Sequence, residues 1–225
     1  MTGSTSPGRQ KEIERLIAES LIPRGVTEPA VLHAFRSVPR ELFVPPEQAY
    51  RAYENSALPI GHGQTISQPL MIGIMLQALE ALPGQKVLEV GTGSGYQAAL
   101  LARMGLKVFT VERIPALAEA ARSRLEALGL QDVVVIVADG SRGLPELAPF
   151  DRIIVACAAP DIPGALAGQL TEGGILVAPV GSRFSQRLCV ARRQQGELSV
   201  EYGDECVFVP LIGQQGWPEE EIWPE

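Results

Sequence analysis

The stretch Lys86-Val87-Leu88-Glu89-Val90-Gly91-Thr92-Gly93-Ser94-Gly95-Tyr96 carries the most structural information in the chain. Its first five residues form a short run of buried-strand length, and the glycines after it allow a sharp turn. Beyond the turn, the Ala- and Leu-rich segment 96–104 predicts a helix. Strand, glycine turn and helix in that order are the first unit of a parallel α/β sheet. The cycle then repeats, with a strand over 107–111, a helix over 115–128, and strands over 133–137 and 152–156. A helix over 162–170 and a strand over 174–179 complete it. Apolar strands alternating with helices belong to a sheet covered on both faces. Residues 186–193 and 198–202 flank a Gln195-Gly196 turn, and with 206–211 they predict antiparallel strands added at the sheet edge. The expected fold is a doubly wound, Rossmann-like α/β sheet.

Working toward the N-terminus, Pro69 opens a helix expected to reach about Leu82. Residues 39–69 are punctuated by Pro45, Pro46, Pro59, Gly61 and Gly63, and so long an irregular segment suits a binding element better than filler. Thr27 is placed to cap a helix that starts at Pro29 and runs through Val38. Ile13, Leu16, Ile17 and Leu21 have helical spacing over 11–21, which Pro23 and Gly25 end. Residues 1–10 are rich in Gly, Ser, Thr and Pro and are expected to form a flexible tail without the apolar core of a signal peptide. The expected layout is one domain over 11–217, with a helical and loop extension (11–82), an α/β core (83–217) and an acidic tail (218–225).

Composition bounds the function. The 225 residues carry 19 Lys and Arg against 26 Asp and Glu, a net charge of −7, which argues against holding nucleic acid by bulk charge. No apolar run approaches the roughly 18 residues needed to span a bilayer, so no membrane partner is expected. Three cysteines without a Cys-x-x-Cys pair point to a reducing, cytoplasmic compartment, and a monomer is expected. The chain has a single asparagine, Asn55, and only three lysines; GC-rich codons explain this more simply than selection against deamidation. Asp139-Gly140 is its one Asp-Gly or Asn-Gly step.

Ligands of an open parallel sheet gather at the carboxyl ends of the strands, where Gly91-Thr92-Gly93-Ser94-Gly95 falls. No lysine comes after it, which excludes a P-loop. The third position of a G-x-G-x-x-G dinucleotide fingerprint would be Tyr96, too bulky for close helix–strand packing. A G-x-G-x-G loop behind an acidic strand residue suits S-adenosyl-L-methionine, which lacks phosphates and carries a sulfonium. Glu89 could meet the cationic end of that ligand, directly or through water, or could be a strand-end carboxylate bonded to nearby amides. Glu112, about twenty residues after the loop begins, could take both ribose hydroxyls. Asp139, before Gly140, could accept from an adenine amine. Each acid alone could be a helix cap, but three at successive strand ends together predict a ligand site.

With these residues in view, the chain resembles the protein-L-isoaspartate (D-aspartate) O-methyltransferase family over about residues 10–217. The most specific motif is Leu58-Pro59-Ile60-Gly61-His62-Gly63-Gln64-Thr65-Ile66-Ser67-Gln68-Pro69. Val38-Pro39-Arg40-Glu41-Leu42-Phe43-Val44-Pro45, Phe150-Asp151-Arg152-Ile153-Ile154-Val155, Leu176-Val177-Ala178-Pro179-Val180-Gly181 and Phe208-Val209-Pro210-Leu211-Ile212-Gly213 support it. The resemblance implies a methyltransferase with an N-terminal helical extension that repairs damaged proteins. S-adenosyl-L-methionine would methylate the free α-carboxylate of isoaspartyl residues in proteins and peptides, leaving S-adenosyl-L-homocysteine, with no metal. The ester then closes to a succinimide that reopens partly as aspartate.

By the same resemblance, Ser67 aligns with the family's active-site serine, and Gln64, Thr65 and Ile66 with positions that contact cofactor and substrate. Val209, Pro210 and Leu211 match the strand along which the substrate backbone lies. The glycine loop, Glu89, Glu112, Asp139 and Gly140 are the implied cofactor residues. A carboxylate with pKa about 4 is already ionised at neutral pH, so no strong base is required, and neither His33 nor His62 is needed. Ser67 could hold one carboxylate oxygen, or simply cap the helix that Pro69 opens. Cys157 stands where relatives often carry Thr or Ala, and is read as a small buried residue. Cys189 and Cys206 are expected in the core and Trp217 packed down, while Trp223 has no account. The alternatives are a related methyltransferase acting on a modified peptide, RNA or small molecule, an NAD-linked oxidoreductase, and a non-catalytic nucleoside-binding protein. Tyr96 counts against the oxidoreductase, and the intact acids and Ser67 motif against loss of activity.

Overall fold

A computed structural model describes residues 7–218. The sheet that decides the fold begins where its sequence signature begins. Strands β3 (Lys86–Val90), β4 (Lys107–Glu112), β5 (Val134–Val137), β6 (Phe150–Val155) and β7 (Leu170–Gly181) are parallel neighbours. β8 (Gln186–Gln194) and β9 (Glu197–Cys206) add antiparallel, giving the order β5-β4-β3-β6-β7-β8-β9. The chain moves outward from β3 to β4 and β5, then returns to β3's other side with β6. The order therefore reverses beside β3, the place where a crevice opens in such sheets.

Pleating divides the apolar residues between the two faces. Val87, Val108, Ile154 and Val177 join one buried cluster, and Leu88, Val111, Ile153, Val155, Leu176 and Ala178 the other. The first cluster is the larger. It takes in α1 (Pro7–Leu16), α2 (Pro29–Ser37), α3 (Pro69–Ala78) and α4 (Tyr96–Arg103), so the N-terminal helices share a core with the sheet. α5 (Pro115–Ala127) adds Ala118 and Leu125 to it. The second face is covered by short turns and by α6 (Gly164–Ala167).

Several local expectations are corrected. The helix placed at 162–170 is one turn, because glycines stand at both ends of it and Leu170 already starts β7. Residues 7–10, expected in a flexible tail, are helical: α1 begins at Pro7, and Arg9 Nε donates to Tyr53 Oη at 3.0 Å. The continuous helix expected over 11–21 widens at Ile17–Leu21 into a π turn before closing at Ile22–Arg24. Thr27 does not cap α2. The amides of Thr27 and Glu28 both donate to Gln77 Oε1, a tertiary contact instead of a local one. Within the irregular 39–69 segment lies an antiparallel hairpin, β1 (Leu58–Gly61) and β2 (Gln64–Ile66). The strand expected at 206–211 is absent as a strand. β9 ends at Cys206, and 207–211 touches the sheet by a single bridge of Pro210 to Ala158, since proline has no N–H to extend a ladder. Trp217 packs down, its amide donating to Leu211 O at 2.7 Å. Trp223 and Glu219 to Glu221 lie outside the described residues.

Candidate active site

At the switch beside β3 the glycine loop turns with Gly91, Gly93 and Gly95 all in the left-handed region, φ +94°, +52° and +90°. What the loop does with its amides is informative. Gly91 N and Thr92 N both donate to Val111 O, Gly95 N to Thr92 O, and Gly93 N to Glu112 Oε2 at 2.9 Å. A phosphate-binding loop keeps such N–H groups for its anion. Here four of the five loop amides are bonded within the chain, and the loop presents small residues to the crevice. That fits a cationic nucleoside cofactor better than a nucleotide phosphate.

Glu112 is buried at the end of β4 and walls the crevice. Each of its oxygens accepts one amide, Gly93 N on Oε2 and Ile114 N on Oε1, both at 2.9 Å. A carboxylate offers about four acceptor positions, so one on each oxygen remains for a diol. Gly140 lies at the end of β5's connection, where a Cβ would come within 2.7 Å of Val90 Cγ1. Only glycine lets that turn approach the loop.

Two predicted acids take other positions. Glu89 is wholly buried beneath the loop and does not line the crevice. Thr110 Oγ1 donates to its Oε2 at 2.6 Å, which leaves Thr92 Oγ1 to donate to Thr110 Oγ1 at 2.6 Å. Burial pushes the Glu89 carboxyl up to about 8, against the Thr110 bond. Glu89 thus braces the loop from below, because strand alternation turns it away from the ligand side. Asp139 also stands off the crevice. Its Oδ1 accepts Ser141 N and Ser141 Oγ, at 3.0 and 2.6 Å, and its Oδ2 accepts Gln214 N at 2.9 Å. Partial burial pushes the Asp139 carboxyl up, but the Gln214 and Ser141 hydrogen bonds outweigh it and hold it below its usual range. One acceptor position is left for an adenine amine. Gly95, too, faces away, since its Cβ position lies 3.1 Å from Ala121 Cβ on α5.

The opposite wall is the β1–β2 hairpin together with Ser67 at its end. Ile60 Cδ1 reaches to 3.4 Å from the Cβ position of Gly93, so the hairpin covers the glycine loop. Gln64, Thr65, Ile66 and Ser67 line the crevice. Ser67 does not cap α3. That function falls to Asn55, the sole asparagine, whose Oδ1 accepts Leu70 N at 3.0 Å. The Ser67 hydroxyl has no hydrogen-bond partner among the described residues and is half-exposed on the crevice. Val209, Pro210 and Leu211 form the third wall, held by Ala158 N to Val209 O at 2.8 Å and Leu211 N to Ala158 O at 2.7 Å.

Together these walls form one solvent-open crevice. Its floor holds residues that the sequence reading did not name as ligands. Val90, Val111 and Ala156 are explained by their places at strand ends, whereas Ile72 and Gln97 carry no sequence signal. Cys157 is buried there with its thiol pushed up by burial, so it is a packing residue and not a thiolate. His62 sits at the exposed hairpin tip with φ +53°, and His33 is exposed beside Ser37. Neither lines the crevice. Among the described residues no group of three or more His, Cys, Asp or Glu could hold a metal ion.

The model of the protein-L-isoaspartate(D-aspartate) O-methyltransferase family matches residues 11–216. The chain belongs to that family. A curated protein-L-isoaspartate O-methyltransferase of Hyperthermus butylicus is 49% identical over 225 residues, covering 95% of this chain and 92% of the relative. A solved protein-L-isoaspartate O-methyltransferase superposes with TM-score 0.80 at 29% identity, over 92% of this chain and 67% of that one. A Plasmodium falciparum protein described in the same terms, in complex with S-adenosyl-L-homocysteine, superposes with TM-score 0.76 over 91% of this chain and 98% of that one. Its identity is 24%, and it speaks to the fold alone.

Proposed function

We propose that this chain is a repair enzyme that methylates the free α-carboxylate of L-isoaspartyl residues in damaged proteins and peptides. The supporting observation is the meeting of three segments on one crevice: 64–67, the glycine loop with Glu112, and 209–211. S-adenosyl-L-methionine, when bound, supplies an electrophilic methyl group on a sulfonium and is left as S-adenosyl-L-homocysteine. The chain's own tasks are to bind, align and exclude water. Glu112 holds the cofactor's ribose and the Gly140 turn its base. The Ser67 hydroxyl donates to one oxygen of the substrate carboxylate and leaves the other to face the methyl group. The acceptor is already an anion at neutral pH, which is why no histidine need stand on the crevice. Val209–Leu211 receives the peptide backbone, a mode that reads few side chains and suits many damaged sequences.

We further infer that residues 11–217 act as one domain and as a monomer, since a single core joins the N-terminal helices to the sheet and one chain supplies every crevice wall. No helix of the described residues is long and apolar enough to cross a membrane, and all three cysteines are free and buried, which supports a reducing cytoplasm. The deciding test is a pair of peptides, identical except for L-isoaspartate or L-aspartate at one position, incubated with methyl-labelled S-adenosyl-L-methionine. A base-labile methyl ester is expected on the isoaspartyl peptide alone. Equal labelling of both, or labelling of neither, would overturn the assignment.

A further inference from the structure

Behind the substrate-side wall lies a guanidinium with unusual company. Arg40 is 0% exposed, the largest fully buried side chain among the described residues. Its partners are three carbonyl oxygens, and none is a carboxylate: Nε donates to Ala52 O at 2.8 Å, Nη1 to Ser67 O at 2.9 Å and Nη2 to Ser56 O at 3.1 Å. The guanidinium stands 5.3 Å from the ring centre of Tyr96. Burying a charge without a counter-charge is unfavourable, and a leucine or methionine would fill the space without that cost. Burial accordingly draws the guanidinium's pKa down to about 10, and it stays charged at neutral pH.

The positions of its partners show what this charge holds. All three carbonyls belong to one segment, 52–67, which ends at the crevice with Ser67. Tyr96 opens α4 directly after the glycine loop, lines the crevice, and is itself clamped edge-on by Phe35 and Phe43. One planar fork therefore references the substrate wall to the cofactor wall. Arg152 is an instructive contrast. Its Nε and Nη2 likewise donate to carbonyls, of Leu79 and Glu80, but those close the end of α3 away from the crevice, and Asp151, Glu80 and Arg192 surround it. Arg40 has no such acid beside it, so its charge stands uncompensated one hydrogen bond from the Ser67 carbonyl.

We propose that Arg40 is a positioning residue of the methyl transfer: it fixes Ser67 through the backbone of 52–67 and biases the substrate wall toward an anionic acceptor. This rests on the isoaspartyl reading, and the test separates the two. Arg40→Met and Arg40→Lys are compared with wild type for kcat/KM on an isoaspartyl peptide, for S-adenosyl-L-homocysteine affinity by calorimetry, and for amide exchange over 54–67. Arg40→Met is expected to lose at least 30-fold in kcat/KM, with cofactor-product affinity within threefold and faster exchange confined to 54–67. Arg40→Lys, which keeps the charge but not the fork, should stand at least fivefold above Arg40→Met and still below wild type.

Arg40→Met with wild-type kcat/KM overturns the proposal. So does a loss of S-adenosyl-L-homocysteine affinity equal to the loss of kcat/KM, which marks general loosening. If Arg40→Met does not fold, Arg40→Lys decides, and wild-type kinetics with wild-type exchange over 54–67 refute it. A wild-type enzyme inactive on the peptide would refute the isoaspartyl reading, while the exchange and binding measurements still judge Arg40.

Discussion

The two sides of the crevice are built in opposite ways. On the cofactor side, residues 91–95 and Glu112 are held by bonds that strand order dictates: the loop's amides reach Val111 and Glu112 on the neighbouring strand, with Thr110 and Glu89 beneath. On the substrate side, the regular structure of 55–67 is the small β1–β2 hairpin, which lies outside the main sheet. Single side chains fix it, Arg40 from behind and the segment's own Asn55 at the start of α3. A sheet edge thus positions a ligand by repetition, whereas a loop needs individual ties, and each tie is a point of failure.

Glu112→Ala should strike the cofactor side hardest. It removes charged hydrogen bonds to a diol and frees two amides, an expected loss of about 1–3 kcal/mol, or roughly 5- to 150-fold in S-adenosyl-L-methionine KM. Peptide KM measured at saturating cofactor should move little. A parallel rise in both would erase the distinction between the two walls.

Ser67→Ala tests the other wall. It should lower kcat on the isoaspartyl peptide about tenfold, the scale of one charge-assisted hydrogen bond, with S-adenosyl-L-homocysteine affinity nearly unchanged. Thermal stability should hold as well, because Asn55 and not Ser67 caps α3. A drop in melting temperature without a kinetic effect would return Ser67 to a structural role.

A stability effect, not a kinetic one, is expected for the acid under the loop. Glu89 titrates near 8 in the folded chain, above its unfolded value, because burial disfavours its charge. Between those two values the folded state holds the extra proton, so this group's contribution to stability falls as pH rises toward 8. Glu89→Gln removes that dependence. Between pH 5 and pH 8 the melting temperature of the wild type should fall more steeply than that of the variant, read by thermal melts. Parallel curves would mean that Glu89 does not titrate there.

Legibility divides along the same line. The strand–loop–helix at 86–103, the alternation of strands and helices along the chain, and Glu112 were readable because period, glycine and strand-end position are local properties. Ser67 and its neighbours came from motif resemblance, not from physics. The hairpin at 58–66 went unseen: its Gly61-His62-Gly63 tip reads equally well as irregular loop. Asp139 and Glu89 were identified as acids at strand ends, yet neither lines the crevice, and each is bonded to a group that folding brings to it. Gln214, 75 residues further along, claims one Asp139 oxygen, and Thr110 on the adjacent strand claims Glu89.

By itself the sequence determined an acidic chain with an apolar core, a parallel sheet, a glycine turn too crowded at Tyr96 for a dinucleotide, and the positions of the strand-end acids. Tertiary structure alone decided which acids line the crevice, that most of the loop's amides are bonded within the chain, and that Arg40 and Asn55 tie the opposite wall. The physical reason is range. Backbone turns and strand alternation are set within a few residues, whereas a buried guanidinium or a lone carboxamide acquires its role only from carbonyls and amides that folding brings to it.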